Sequence, residues 1–396
     1  MWERLRKNIG WSLLSMIIVA FSGIFIVYFN TRSLGVEGLG AYATILAFGL
    51  MIEALAGMQA WQAVVALADN EQDLADTFAA ALLINGGLAA LGVVFGCAIA
   101  FIIKLEGGWA VYAHLSTLLI RLPDPALGVL RWHNKFGFIA VVRSTIALAS
   151  MAVVTALWWI DASLEVYIIS AGILYGISSI ALNIEAVHSC TPKWPRKASI
   201  RRVLSFSLPA GGSGAVGTLR ARGVVLLLDA FAGSAAVGLY TVADRIASVM
   251  QLFYRAAFEA IFAELSKFDR RSGIILRFSA GLFVLSIAAW ISAELLGGWV
   301  VAIIAGPEFK LAAEVLVWLV IVAGVNLVTM GARAWVVLKL GPQTMLIANL
   351  ISLLAMVIAP WLIIRSGAIG AATVLLLFEA IWIIAITALI MRARHR

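Results

Sequence analysis

From Trp11 to Phe29 the chain runs nineteen residues without a charged side chain. As a helix that stretch is about 28 Å long, close to the thickness of a bilayer's hydrocarbon core. It is too long for the apolar centre of a cleavable signal peptide, although the basic start MWERLRKNIG resembles one. Further apolar runs follow at roughly 39–67, 78–103, 109–130, 139–160, 166–187, 206–228, 237–262, 276–304, 313–338, 344–364 and 369–391. The fourth is interrupted by Arg121-Leu-Pro-Asp-Pro125. With 63% apolar and 13% charged residues, against about 45–50% and 25% in soluble domains, no globular interior of this size could hide the apolar surface. The expected fold is an all-α integral membrane protein with about twelve transmembrane helices. Trp11, Trp109, Trp158, Trp159, Trp299 and Trp361 fall near span ends, where an interfacial belt is expected.

Twelve spans put both termini on one side. With the termini inside, the inner segments carry 18 Lys plus Arg and the outer loops only 4, namely Arg32, Lys104, Lys310 and Arg365. That bias predicts a multi-pass protein with both ends cytoplasmic. The formal charge of +8 is then topological, with attraction to anionic membrane lipids, and needs no nucleic acid. Cys97 and Cys190 suit neither a disulfide framework nor a metal cluster. No GxxxxGK[ST], HExxH, GxSxG or CxxC pattern occurs, and the outer loops are too short for a catalytic domain. The expectation is a protein that is not an enzyme and uses no cofactor. The four histidines, His114, His133, His188 and His395, are expected in loops or at the interface.

An internal repeat organises the spans. Gly35-VEGL-Gly40-Ala-Tyr42 and Gly233-SAAV-Gly238-Leu-Tyr240 share GxxxxGxY at an offset of 198, half the chain. Both open an even-numbered span. The expected architecture is two pseudo-symmetric six-helix lobes around a central cavity: an N-terminal lobe over 1–190, a basic cytoplasmic linker over 191–204, and a C-terminal lobe over 205–396. Such an arrangement points to a transporter.

Polar groups at membrane depth mark where function is expected. Arg121, Asp124, Arg143, Arg220, Arg222, Asp244, Arg245, Arg255, Glu259, Glu53 and Arg333 lie in or near spans. Each arginine at mid-membrane costs about 2.5–3.5 kcal/mol on insertion scales, so it wants a wet cavity or a partner. Asp244, Ser248, Gln251, Arg255 and Glu259 follow at steps of 4, 3, 4 and 4, one face of the eighth span. Arg220, Arg222, Arg245, Arg255 and Gln251 are the candidate lining of a cationic, anion-binding cavity, for which guanidinium forks favour phosphate oxygens. Residues at i and i+2 point about 200° apart, so Arg220 and Arg222 cannot share a face, and Arg222, on the face of Asp229, is the favoured cavity member. Arg255 with Glu259 is also readable as a plain intrahelical pair. Glu53, Asp244 and Glu259 are candidates for ion coupling or counter-charge. Pro209 with the glycines up to Gly214 allows either a bend or close helix packing.

Four stretches carry a family resemblance: Asn30-TRSLGVEGLGAYA, Leu228-Asp229-AFAGSAAVGLYTVADRIASVMQ, Gly306-Pro-Glu-Phe309 followed by KLAAEVLVWL, and Gly367-AIGAA. In that order they resemble bacterial polysaccharide repeat-unit flippases of the Wzx type, in the superfamily that also holds the MATE drug exporters and the peptidoglycan-precursor flippase. The resemblance implies a two-lobed exporter of the bacterial cytoplasmic (inner) membrane. Its implied cargo is an oligosaccharide on undecaprenyl pyrophosphate, moved by alternating access. Polysaccharide polymerase and glycosyltransferases are further implied partners. The alternative is a MATE-like multidrug or cation antiporter. One departure is the inner loop DNEQDLADT at 69–77, acidic where basic residues are usual.

Overall fold

A computed structural model describes residues 2–105, 108–120, 124–249 and 272–394. Within them the chain is helical, with no strand. The helices are α1 (Trp2–Gly57), α2 (Ala60–Leu67), α3 (Glu71–Ile102), α4 (Gly108–Ser116), α5 (Asp124–Trp132), α6 (Phe136–Trp159) and α7 (Leu164–Ser189). They continue with α8 (Lys197–Ala247), α9 (Ser272–Ile304), α10 (Ala312–Leu340), α11 (Pro342–Ser352) and α12 (Ala355–Arg394). Eight described helical stretches are long and apolar enough to cross a membrane. Their most apolar windows are only 11–50% buried within the protein, and side chains such as Trp159, Val357 and Leu295 are at least 75% exposed. Apolar surface on that scale belongs against lipid. The protein is therefore an all-α, multi-pass membrane protein.

Three of the eight stretches are too long for one crossing. Leu13–Leu67, Lys197–Ala247 and Gln343–Arg392 hold 55, 51 and 50 residues, more than twice the roughly 20 that one crossing takes. Each contains one glycine with left-handed backbone: Gly35 (φ 64°), Gly233 (φ 81°) and Gly367 (φ 52°). A side chain would be strained there, so these glycines are where the chain can fold back. Gly35 and Gly233 are the first glycines of the two GxxxxGxY copies. The fourth apolar run is broken as its prolines require. Helix α4 passes through a short 3₁₀ turn, Thr117–Leu119, and helix resumes only at Asp124. Residues 121–123, including Arg121, lie outside the described residues. Twelve crossings remain the expectation from sequence.

Two compact units divide the chain. One holds Met1–Ile26 and Ile45–Thr218, the other Val27–Thr44 and Leu219–Arg396. In the N-terminal unit, α2, α3, α5, α6 and α7 enclose an apolar core around Val64, Leu74, Phe78, Leu130 and Leu182. Cys190 joins that core, and burial pushes its thiol above the ordinary range, with the Glu71 charge adding to it. The seventh apolar run is helical through Pro209, and Gly211 and Gly214 lie where a methyl group would strike the backbone of Met58 and the side chain of Gln59. Close packing is what these small residues provide.

The acidic loop finds its explanation in the same unit. Asp76 Oδ2 lies 3.5 Å from Arg196 Nε, and Glu71 Oε1 lies 3.3 Å from His133 Nε2. Arg202 donates to the Leu67 carbonyl at the end of α2 (2.9 Å). Asp76 thus faces the basic segment that follows α7, while Glu71 faces His133 just after α5.

One sequence expectation is overturned. His114 is 2% exposed, with Nδ1 3.3 Å from the Ile168 carbonyl. It fills the space left by Gly49 and Gly172, where an added methyl would crowd the ring. His114 is an interior packing residue, because two glycines on facing helices leave an imidazole-sized gap.

Candidate functional site

In the C-terminal unit three charged side chains from three helices meet. Arg220 comes from α8, Arg333 from α10 and Glu379 from α12. On α12, Phe378, Glu379 and Trp382 stand at i, i+1 and i+4, which sets the carboxylate beside the face that carries the two rings. On α10, Asn326, Thr329 and Arg333 stand at i, i+3 and i+7 along one face. The helices are ordinary apolar spans, so the polar residues at this spacing mark one interior seam.

The geometry is a shared carboxylate. Arg220 NH2 donates to Glu379 Oε1 at 2.5 Å, and Arg333 NH2 donates to Glu379 Oε2. Arg333 also donates to Asn326 Oδ1 at 3.1 Å and to Thr329 Oγ1 at 3.4 Å. The Arg220 guanidinium carbon sits 4.8 Å from the Phe378 ring centroid, and that of Arg333 sits 4.2 Å from the Trp382 ring. The three side chains are only 10%, 12% and 5% exposed for Arg220, Arg333 and Glu379. Among the described residues, two guanidinium charges against one carboxylate leave a surplus of +1. An arginine carries five N–H donors, so each fork keeps donors beyond those spent on Glu379. An anion is the ligand that such a centre attracts.

Arg220, the residue the sequence favoured less, is the one in this centre. Arg222 is half-buried and, with Asp244, forms the charged surroundings of Tyr240. The i, i+2 argument thus holds, with the faces in separate surroundings. Arg245 is exposed. Gln251, Arg255 and Glu259 lie outside the described residues, so the proposed stripe is described only at Asp244 and Ser248. Asp229 lies against Ser234 and Thr44.

Glu53 belongs to the N-terminal unit, in a second charged group. It is a charged neighbour of Asp124, as is Arg131. Asp124 accepts from the Trp61 backbone N–H (3.4 Å) and so caps the start of α2. Arg131 stacks 4.0 Å from the Trp61 ring. Helix α2 starts afresh because Met58 and Gln59 both have positive φ. Asn85 donates to the Gly57 carbonyl exposed by that break (3.2 Å). No group of three or more His, Cys, Asp or Glu suited to a metal occurs among the described residues.

Sequence reasoning missed Glu379 altogether and noted Arg333 without placing it. The signal was present: Glu379 is the single charged residue between Arg365 and Arg392. An isolated acid in a lipid-spanning run demands a cationic partner.

Comparisons with known proteins agree with this architecture. No curated protein matches the chain in sequence. Among solved structures, a multidrug resistance MATE family transporter of the MOP superfamily in an inward-facing conformation is similar at 12% identity and TM-score 0.70. The similarity covers 96% of this chain and 94% of that one. The MATE multidrug transporter DinF-BH, in complex with R6G, is similar at 14% identity and TM-score 0.62, over 99% and 96% of the two chains. A mutant of the Vibrio cholerae MATE transporter VcmN is similar at 12% identity and TM-score 0.61, over 100% and 97%. At such identities these likenesses establish a shared fold. The family model described as polysaccharide biosynthesis protein matches residues 5–268, about two thirds of the chain. With that match added to a MATE-like transporter fold, the chain is a membrane transporter that belongs to the polysaccharide biosynthesis protein family of Wzx-like flippases.

Proposed function

We propose that this transporter moves an undecaprenyl-pyrophosphate-linked oligosaccharide from the cytoplasmic to the outer leaflet of the bacterial cytoplasmic membrane by alternating access. Both termini lie in the cytoplasm in this reading, and the six-plus-six lobes enclose a central path. The observation that carries it is the charge ratio at Arg220, Arg333 and Glu379. A diphosphate brings more negative charge than a carboxylate and more acceptor oxygens. It can engage the unspent N–H donors without displacing Glu379. Arg222, Arg245, Arg255 and Gln251 extend the cationic path, and Glu53, Asp244 and Glu259 serve as ion-coupling or counter-charge groups. Membrane lipids, polysaccharide polymerase and glycosyltransferases are its expected partners.

A second reading, a MATE-like antiporter of cationic compounds, draws on the Glu53 and Asp124 pair in the N-terminal unit. The positive surplus in the C-terminal unit favours the first.

The test is Arg220→Ala and Arg333→Ala, singly. Each leaves Glu379 with one guanidinium, a neutral pair, so folding is kept while the surplus charge is lost. Surface polysaccharide in cells and retention of undecaprenyl pyrophosphate by purified protein are measured. Both are expected to fall by at least about tenfold, which corresponds to about 1.4 kcal/mol of binding. Unchanged export and retention in both variants would refute the proposal. Loss of dye efflux, with no lipid retention by the unaltered protein, would select the antiporter.

A further inference from the structure

Trp382 carries a hydrogen-bond donor that the charged centre leaves unused. The side chain is 1% exposed, yet its indole Nε1–H meets no acceptor among the described residues. Its neighbours in the surrounding core, Val336, Ala348, Ala385 and Ile386, have no side-chain acceptor to offer. Beside it stand Arg333, whose guanidinium carbon lies 4.2 Å from the ring centroid, and Glu379, about one turn earlier on α12. Both Glu379 oxygens are already engaged, one by each arginine. An indole N–H can donate and cannot accept, and a buried one ordinarily has a partner.

The neighbouring stack indicates that the N–H is not needed to hold an arginine. Arg220 lies over Phe378, 4.8 Å from the ring centroid, and phenylalanine has no donor. A ring face alone attracts a guanidinium, and burying a polar group without a partner costs stability. For packing and cation–π attraction, Phe would serve at position 382 as it does at 378. What Trp adds is a neutral donor in the plane of the ring, at its rim, which a guanidinium over the face leaves uncovered.

We infer that Trp382 is a binding residue for the transported anion, giving its indole N–H to an oxygen of a phosphate group held by Arg220 and Arg333. The inference rests on the lipid-pyrophosphate reading and adds a third point of contact to it. Guanidinium forks attract anions of many kinds. A donor fixed by a buried ring demands, in addition, an acceptor oxygen at one place. A site that commits a buried polar group to its ligand disfavours any ligand that leaves the group unpaired. A phosphate, with oxygens in several directions, can satisfy two charged forks and the indole together. The cost of burying the N–H is then recovered when the anion binds.

The experiment uses the purified full chain with undecaprenyl pyrophosphate as the probe. Trp382→Phe removes the N–H and keeps a ring beside Arg333. Benzothienylalanine, placed at position 382 by codon suppression, removes the N–H and keeps the full shape. Both changes are expected to weaken retention about fivefold to tenfold, the effect of one lost hydrogen bond. Thermal unfolding of the lipid-free protein with the isostere should be unchanged or shifted upwards, because the N–H has no partner to lose there. Full retention with the isostere would overturn the inference. So would a fall in its lipid-free unfolding temperature, which would mean that the N–H is paired within the protein. Should Trp382→Phe fold poorly, the isostere decides alone. Arg333→Ala, run in parallel, separates the two readings. If it loses the lipid while the variants at position 382 keep it, only the role of Trp382 falls. If the unaltered protein does not retain the lipid, the pyrophosphate reading falls and takes this one with it.

Discussion

Among the described residues, the two units carry charged groups of different make-up. In the N-terminal unit Asp124 has the acid Glu53 and the base Arg131 as charged neighbours. In the C-terminal unit the bases Arg220 and Arg333 share one acid, Glu379. The surroundings differ too. Asp124 is partly engaged with the backbone of α2, so its charge also serves as a cap, whereas Glu379 spends both oxygens on guanidinium groups. In the proposed reading, one half takes cations or protons and the other takes anions. Repeats of one topology do not have to share chemistry, because the spans need only be apolar on their lipid side.

The largest test of this contrast is Glu379→Ala. It strands two guanidinium groups beside each other, and removing one partner of a buried pair costs about 3–5 kcal/mol. Thermal unfolding in detergent should show a large drop, with yield falling as well. A small effect would mean that the two arginines already have other counter-charges, and the contrast would collapse. Next comes Asp124→Ala. Here the main loss is the cap of α2, worth about 0.5–2 kcal/mol. Destabilisation equal to that of Glu379→Ala would show the two centres to be alike. The smallest effect belongs to Arg245→Ala, on an exposed position with no ion pair among the described residues. Its stability change should stay within about 0.5 kcal/mol, so any loss of export from it reports transport alone.

Much of the fold could be read from residue patterns because each pattern had a single physical meaning. Nineteen uncharged residues must cross a bilayer. A glycine that opens a repeat at half-length marks a turn, and Gly35 and Gly233 have the positive φ that this requires. Prolines 123 and 125 had to interrupt the fourth run, and helix resumes at Asp124. The site was harder. Periodicity along one helix grouped Asp244 with Gln251 and Arg255, but the centre at Glu379 draws one residue from each of three helices far apart in sequence. Only pairing chemistry across helices, not spacing within one, could have joined Arg220 to Glu379. His114 was misplaced for a similar reason, since its gap is made by Gly49 and Gly172 on other helices.

The division of the chain into units has a bearing on biosynthesis. Val27–Thr44 emerges early, yet it packs with residues from Leu219 onward, nearly two hundred positions later. Its packing within that unit is completed only once Leu219 and the residues after it have been made. Arg196 and Arg202 meanwhile fasten the start of α8 to Asp76 and Leu67. A truncated chain ending near Thr218 should therefore mature into a folded N-terminal unit with one orphaned hairpin, the natural target for a membrane chaperone or quality-control protease.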